Sequence, residues 1–247
     1  MRRRAPLALL LCGAVAGCGQ SARGADVPAP AVPPPTAPPV SASAPPASPP
    51  PPAGVPATGE PVPLGRVAGW RITTYYTALE SLYDGERKAV RGCARFHCSR
   101  GKTPLGSYPK DFLKVVQTEG SGRVTEGPER GRYLNWSHSV GFWLDDTTRD
   151  SRGRPLRAWA SAAADRSVLA RGRRFAILDC GEDGGGRAVE DEVCAAFRKA
   201  RWTVTDLFRP GYGGQNHADV YIGEEKGSRL AGSPFYTTLS GATLVGS

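Results

Sequence analysis

Beyond about residue 64 the apolar residues come in short bursts separated by polar and glycine-rich stretches. Bursts of this length predict strands at Trp70–Thr77, Phe112–Gln117, Val140–Leu144, Arg157–Ala160, Arg174–Asp179, Trp202–Phe208 and Ala218–Ile222. Turns rich in glycine separate them, at Gly101, Gly120-Ser-Gly122, Gly184-Gly-Gly186 and Gly211-Tyr-Gly-Gly214. One segment reads as helix, Ala188–Arg201. Its acids lie in the first turns and its bases in the last, matching the helix dipole. Val189, Val193 and Phe197 recur every four residues and give it one apolar face. The expectation is a mainly β domain with a short inserted helix, and many short strands joined by irregular loops favour a closed barrel.

The N-terminal part is of a different kind. Met1-Arg-Arg-Arg4 precedes an apolar run that ends Val15-Ala-Gly-Cys18. A positive start, a short apolar run and small residues before a cleavage point describe an export signal at 1–17. The run is too short to cross a hydrocarbon layer of roughly 30 Å. Val-Ala-Gly-Cys resembles a bacterial lipobox, which makes Cys18 the acylated first residue of the mature chain; an ordinary cleaved signal is the alternative. Gly19 is not an acidic sorting residue, and by analogy with lipoproteins of diderm bacteria this gives an outer-membrane lipoprotein facing the periplasm. Residues 18–63 then read as a disordered, Pro/Ala-rich tether, with 16 prolines between Ala25 and Pro63. Such a composition buries no core and forms an extended spacer of at most about 120 Å. Residues 64–247 are the right length for one domain.

An exported address changes how the cysteines read. Without Cys12 and Cys18 there remain Cys93, Cys98, Cys180 and Cys194, most simply two disulfides. Of three connectivities, Cys93–Cys98 with Cys180–Cys194 is the simplest; a zinc site from Cys93, His97 and Cys98 competes but lacks a second ligand pair. Net charge is +9, three of it in Arg2, Arg3 and Arg4 of the leader. The remaining basic excess suits an anionic partner such as cell wall or acidic lipid. Along the sequence the arginines look scattered, without interleaved aromatics, so no nucleic-acid partner is expected. No nucleophile elbow, P-loop or His-Glu-x-x-His zinc motif occurs.

Three aspartates carry the candidate chemistry. Asp165, Asp179 and Asp219 each close or interrupt an apolar strand-like segment: Ser161-Ala-Ala-Ala-Asp165, Phe175-Ala-Ile-Leu-Asp179 and His217-Ala-Asp219-Val-Tyr-Ile-Gly223. A carboxylate in such a setting either caps local amides or lines a site where desolvation lets it hold a proton. In strand geometry His217, Asp219 and Tyr221 share one face, and Ala218, Val220 and Ile222 the other. His138 and His217 read as satisfied polar residues.

The run Ala164-Asp165-Arg-Ser-Val-Leu-Ala-Arg-Gly172 through Phe175-Ala-Ile-Leu-Asp179-Cys-Gly181, followed by Asp219-Val-Tyr-Ile-Gly223, resembles the 3D (three-aspartate) domain. The same module occurs in membrane-bound lytic murein transglycosylase A. Ile72-Thr-Thr-Tyr-Tyr-Thr77 is similar to the family's first barrel strand, and Asp111–Arg123 with Tyr133-Leu-Asn135 also looks like family material. The chain departs from the pattern in two ways. Asp179 and Asp219 are 40 positions apart, with the helix in the gap, where the family has about a dozen residues. The family's linking lysine is missing, and Gly213-Gly-Gln-Asn216 stands in its place.

The resemblance implies a six-stranded double-psi β-barrel and cleavage of peptidoglycan between N-acetylmuramic acid and N-acetylglucosamine. One carboxyl suffices for that reaction, because the attacking group is the sugar's own 6-hydroxyl and the product end is 1,6-anhydro; ordinary glycosidases need two. By position Asp219 is the acid/base, Asp179 its electrostatic support and Asp165 a structural turn residue. Tyr76, Thr77 and Tyr221 are expected to line the groove. No metal or organic cofactor is implied, and the protein is expected to be a monomer. The alternative is a non-catalytic glycan-binding lipoprotein, favoured if Asp179 and Asp219 face apart. A third possibility, docking of an envelope partner on the inserted helix, requires Val189, Val193 and Phe197 to be exposed.

Overall fold

The first strand, β1 (Trp70–Leu79), turns Trp70, Ile72, Thr74 and Tyr76 to a buried side and Arg71, Thr73 and Tyr75 to the other. In this computed structural model, which describes residues 61–208, 211 and 213–247, the chain continues through β2 (Arg87–Gly92), β3 (Thr103–Pro109), α1 (Lys110–Glu119), β4 (Ser121–Arg123), β5 (Tyr133–Ser137) and β6 (Gly141–Asp145). It then forms β7 (Ser161–Ala164), β8 (Arg174–Asp179), α2 (Asp191–Lys199), β9 (Trp202–Leu207), β10 (His217–Glu224) and β11 (Thr238–Gly246). The leader, Cys18 and all but the last three residues of the 18–63 tether lie outside the described residues. Among the described residues no helix is long and apolar enough to cross a membrane.

Six strands close into a barrel in the order β1-β10-β7-β9-β8-β11 and back to β1. β1 with β10 and β7 with β9 are parallel; the other four pairings are antiparallel. Exchanging β1, β7 and β8 for β9, β10 and β11 maps this ring onto itself, parallel pairs included. The barrel is therefore two interlocked three-strand halves related by a pseudo-two-fold, the arrangement expected of a double-psi barrel. Its interior is filled by fully buried side chains from every strand, among them Ile72, Phe175, Val204, Val220 and Leu244. Closure leaves the barrel itself without an open edge.

Outside the ring, β4, β5 and β6 extend the sheet from the far end of β1, while β2 and β3 form a separate hairpin. The expected strand at Phe112–Gln117 is instead the body of α1. Phe112 and Val116 lie on one face at helical spacing and are fully buried, so the apolar run reflects a core-facing helix. Gly120 stops it, taking φ 93° while its N–H reaches the Val116 carbonyl. Arg157–Ala160 is likewise a turn, with Trp159 at φ 57°, and the strand starts at Ser161. The strands expected at Trp70, Val140, Arg174, Trp202 and Ala218 are present within one or two residues.

Cys93–Cys98 and Cys180–Cys194 are both bonded, which takes the Cys93 and Cys98 sulfurs out of the zinc reading. The second bridge ties α2 to the end of β8. Val193 and Phe197 of α2 are buried, and the Phe197 ring lies 5.3 Å from that of Trp159 and 6.5 Å from that of Phe235. The barrel covers the helix's apolar face, so the docking reading loses the exposure it requires.

Candidate functional site

On β10, Ala218 and Val220 turn inward and are fully buried, which leaves His217, Asp219 and Tyr221 on the outer face. β1 runs beside it with Arg71 opposite His217, Thr73 opposite Asp219 and Tyr75 opposite Tyr221. On the other side β7 brings Ala163 opposite Asp219, and β9 brings Asp206 opposite Ala163. One row, Thr73–Asp219–Ala163–Asp206, thus crosses four strands. Its two carboxylates stand two strand spacings apart, roughly 10 Å at the backbone. Only an alanine methyl lies between them.

Asp206 reaches this face through an irregularity. Strict alternation would send it inward with Trp202 and Val204. The register between β7 and β9 slips between Ala162 and Ala163, pairing Val204 and then Asp206 with consecutive alanines. Thr205 is the extra residue of a bulge, and it re-aims Asp206 toward the outer face. Asp206 accepts hydrogen bonds from the Ser151 and Leu207 amides at 2.9 and 2.8 Å. Burial pushes its carboxyl above the usual range, and those amides only partly offset the effect.

The Asp219 side chain is 28% exposed, but its Oδ1 is buried without a hydrogen bond. His217 Nε2 is 3.1 Å away yet does not close one. That ring is held at Nδ1, which lies 2.9 Å from the Gly213 carbonyl and so donates to it. Its Nε2 lies 2.9 Å from Thr73 Oγ1. Tyr75 sits over the row, its ring centroid 5.3 Å from that of Tyr221 and its buried hydroxyl also without a partner. Burial, then the charges of Asp206 and Asp219, push that phenol well above its ordinary range.

Asp179 is not part of this row. It ends β8, three strands from β10 in either direction around the ring, and is exposed, accepting its hydrogen bond from the Gly181 amide at 3.0 Å. The spacing alone was a usable signal for the carboxylate that is there: Asp206 precedes Asp219 by 13 positions with Gly213 and Gly214 between, close to the family's dozen. Asp165 is a turn residue. Its Oδ1 accepts from the Ser167 amide at 2.9 Å and hydroxyl at 2.8 Å, and its Oδ2 from the Gly211 amide at 2.7 Å. Those bonds hold the carboxyl below its usual range, the Ser167 amide foremost.

The three expected groove residues are buried. Thr77 Oγ1 is 2.7 Å from both the Tyr221 hydroxyl and Ser121 Oγ, a closed internal network, and Tyr76 packs edge-on against Tyr236. Among the described residues no group of three or more His, Cys, Asp or Glu side chains is placed to hold a metal ion. Two cavities, of about 360 Å³ between β2 and α1 and about 580 Å³ beside Trp70 and Asn216, do not include Asp219, which stands on an open face.

Behind β1, Glu119 ends α1 almost fully buried. It accepts from the Tyr236 hydroxyl at 2.7 Å and the Tyr76 amide at 3.3 Å. Burial raises its carboxyl from 4.5 to about 7, with the Asp219 charge a lesser contribution. The folded state therefore holds this proton more tightly than the unfolded chain does. The resulting stabilisation is fully present below about pH 4.5 and is lost as pH rises to about 7. Urea unfolding of the wild type is expected to lose roughly 3 kcal/mol across that window from this group, and Glu119→Gln to flatten the slope.

No protein-family model matches the chain, and no curated protein does. Its strand arrangement is similar to that of solved lytic transglycosylase structures, at identities that speak to fold alone. Among them are Escherichia coli MltA with bound chitohexaose (14% identity over 72% of this chain and 71% of that one, TM-score 0.46), another crystal structure of MltA from Escherichia coli (16%, 71% and 70%, TM-score 0.44) and the membrane-bound lytic murein transglycosylase of Agrobacterium tumefaciens (12%, 73% and 74%, TM-score 0.42).

Proposed function

We propose that the chain is an envelope lipoprotein acting on peptidoglycan glycan strands as a lytic transglycosylase, with Asp219 as its acid/base. One observation carries the reading: Asp219 is partly exposed on an open face of the barrel and, among the described residues, accepts no hydrogen bond; Oδ1 is buried beside His217, which leaves Oδ2 to face outward. A general acid needs an unengaged oxygen to offer the leaving group. The residue also opens the Asp-Val-Tyr-Ile-Gly run that resembles the three-aspartate motif.

In this reading the Asp219 carboxyl gives its proton to the glycosidic oxygen as the bond to the muramic C1 breaks. The carboxylate left behind takes the proton of the 6-hydroxyl while O6 bonds to C1. Proton and electron pair balance, water is not consumed, and the new end is 1,6-anhydro. Asp206, when ionised, supplies a negative field for the positive charge that develops on the sugar ring; Asp206 takes the supporting role that the resemblance assigned to Asp179. His217 and Thr73 hold the approach to Asp219, and acylated Cys18 with its stiff tether holds the barrel off the membrane.

Asp179 and Asp219 lie on opposite sides of the barrel, which favours a second reading, glycan binding without chemistry. Incubating the full chain with peptidoglycan sacculi and resolving the products by mass spectrometry separates the two. Muropeptides with 1,6-anhydro ends are expected. Reducing ends would mean hydrolysis, and co-sedimentation without product would establish the binding reading.

A further inference from the structure

β2 pairs with β3 along one side only, and a cavity of about 360 Å³ lies along its other edge. Four consecutive β2 residues, Lys88 to Arg91, line that cavity and no residue of β3 does, so it follows the open edge of the hairpin and not a face of it. The opposite wall is α1, which contributes Lys110, Leu113, Lys114 and Gln117, spaced i, i+3, i+4 and i+7 on one side of the helix. Phe142 of β6 closes one end.

The charge here is one-sided. Lys88, Arg91, Lys110 and Lys114 stand around the cavity with no carboxylate among its lining residues. Lys110 pairs with Glu86 on the exposed rim, and Arg91 donates to the Lys102 carbonyl; Lys88 and Lys114 form no ion pair among the described residues. Residues 86–114 hold eight lysines and arginines against Glu86 and Asp111, a net +6 in a chain of +9. This stretch of hairpin, disulfide loop and helix start is one of two strongly basic segments, 149–174 being the other, and the fold sets four of its bases around the cavity.

An open strand edge presents amide N–H and C=O groups at strand spacing, and only another extended peptide answers them in register. The cations ask for carboxylates; exposed Ala89 and half-buried Phe142 ask for small apolar side chains between them, while Val90 and Leu113 form the groove's buried floor. We propose that this groove binds an extended acidic peptide by strand addition to β2, with its carboxylates meeting Lys88, Arg91, Lys110 and Lys114. The site is independent of the Asp219 face and of the activity assigned there.

The test uses the full chain and four labelled probes: an alternating Val-Glu octapeptide, its Val-Lys counterpart, single-stranded oligothymidylate and phosphatidylglycerol vesicles. The Val-Glu peptide is expected to bind saturably and to slow amide exchange at Lys88–Arg91. The pair Lys88→Glu and Lys114→Glu is expected to weaken it by roughly tenfold or more, and Lys88→Ala with Lys114→Ala by less, both with an unchanged circular dichroism spectrum. Absence of peptide binding would mean that the charges only shield the edge. Binding without exchange protection on β2, or binding untouched by the charge reversals, would overturn the proposal. Equal or tighter binding of oligothymidylate or vesicles would overturn it in favour of a general polyanion surface.

Discussion

Asp219→Asn is expected to cut the release of 1,6-anhydro ends from sacculi by about 10²- to 10⁴-fold, the range for losing a general acid/base. An amide can accept a hydrogen bond from the leaving sugar but cannot pass it a proton and take another back. The barrel should not suffer. Oδ1 of Asp219 is buried without a hydrogen bond, so exchanging the charge for a neutral group of the same shape removes a desolvation cost. The melting temperature is expected to stay level or rise, the sign of a residue kept for function at the expense of stability. Asp179→Asn, across the barrel, is the control and is expected to keep its activity. Full turnover by Asp219→Asn would end the assignment.

Phe197→Ala is expected to cost about 3–5 kcal/mol in urea unfolding, the range for emptying the space of a fully buried aromatic ring. The ring is fully buried and joins Trp159, Trp202 and Phe235 in one aromatic cluster, fed by the segments that enter β7, β9 and β11. Loss of the ring would therefore loosen three barrel strands at their entry points. The Cys180–Cys194 bridge keeps α2 attached, so the cost reports packing and not the departure of the helix. A change below about 1 kcal/mol would mean that the helix rests on the barrel without being part of its core.

Where one residue in two faces the interior, the sequence reads correctly. Trp70–Tyr76 alternates up to an irregularity before Thr77, and that period together with the one in Ala218–Val220 is enough to put Thr73 and Asp219 on the outer side of their strands. The bulge at Thr205 breaks the period within one strand, so alternation sends Asp206 inward and only its spacing of 13 positions from Asp219 points to it. α1 was hidden differently: Phe-Leu-Lys-Val-Val is too short for helical and strand periods to separate, and Val115 and Val116 tilt it toward a strand. β11 carries glycines at 241 and 246 and polar residues at its start, so its apolar run, Ala242 to Val245, reads as too short for a nine-residue strand. The basic excess of residues 86–114 can be counted in the sequence, but that Lys88 and Arg91 face Lys110 and Lys114 cannot, since it depends on β2 and α1 meeting across a groove.

The pseudo-two-fold of the ring exchanges β10 with β7, so its axis passes between those two strands, beneath the outer face that carries Asp219. A frame with that symmetry has no preferred direction: a chain laid across it could be turned end for end and meet the same backbone. Glycan strands do have a direction, with one reducing and one non-reducing end. On this barrel side chains break the symmetry twice: Asp219 on β10 faces Ala163 on β7, and Asp206 on β9 stands where its counterpart on β1 is Thr73. If glycan is cleaved on this face as proposed, the polarity of cleavage rests on those two differences, on a frame that would otherwise read a sugar chain equally well both ways.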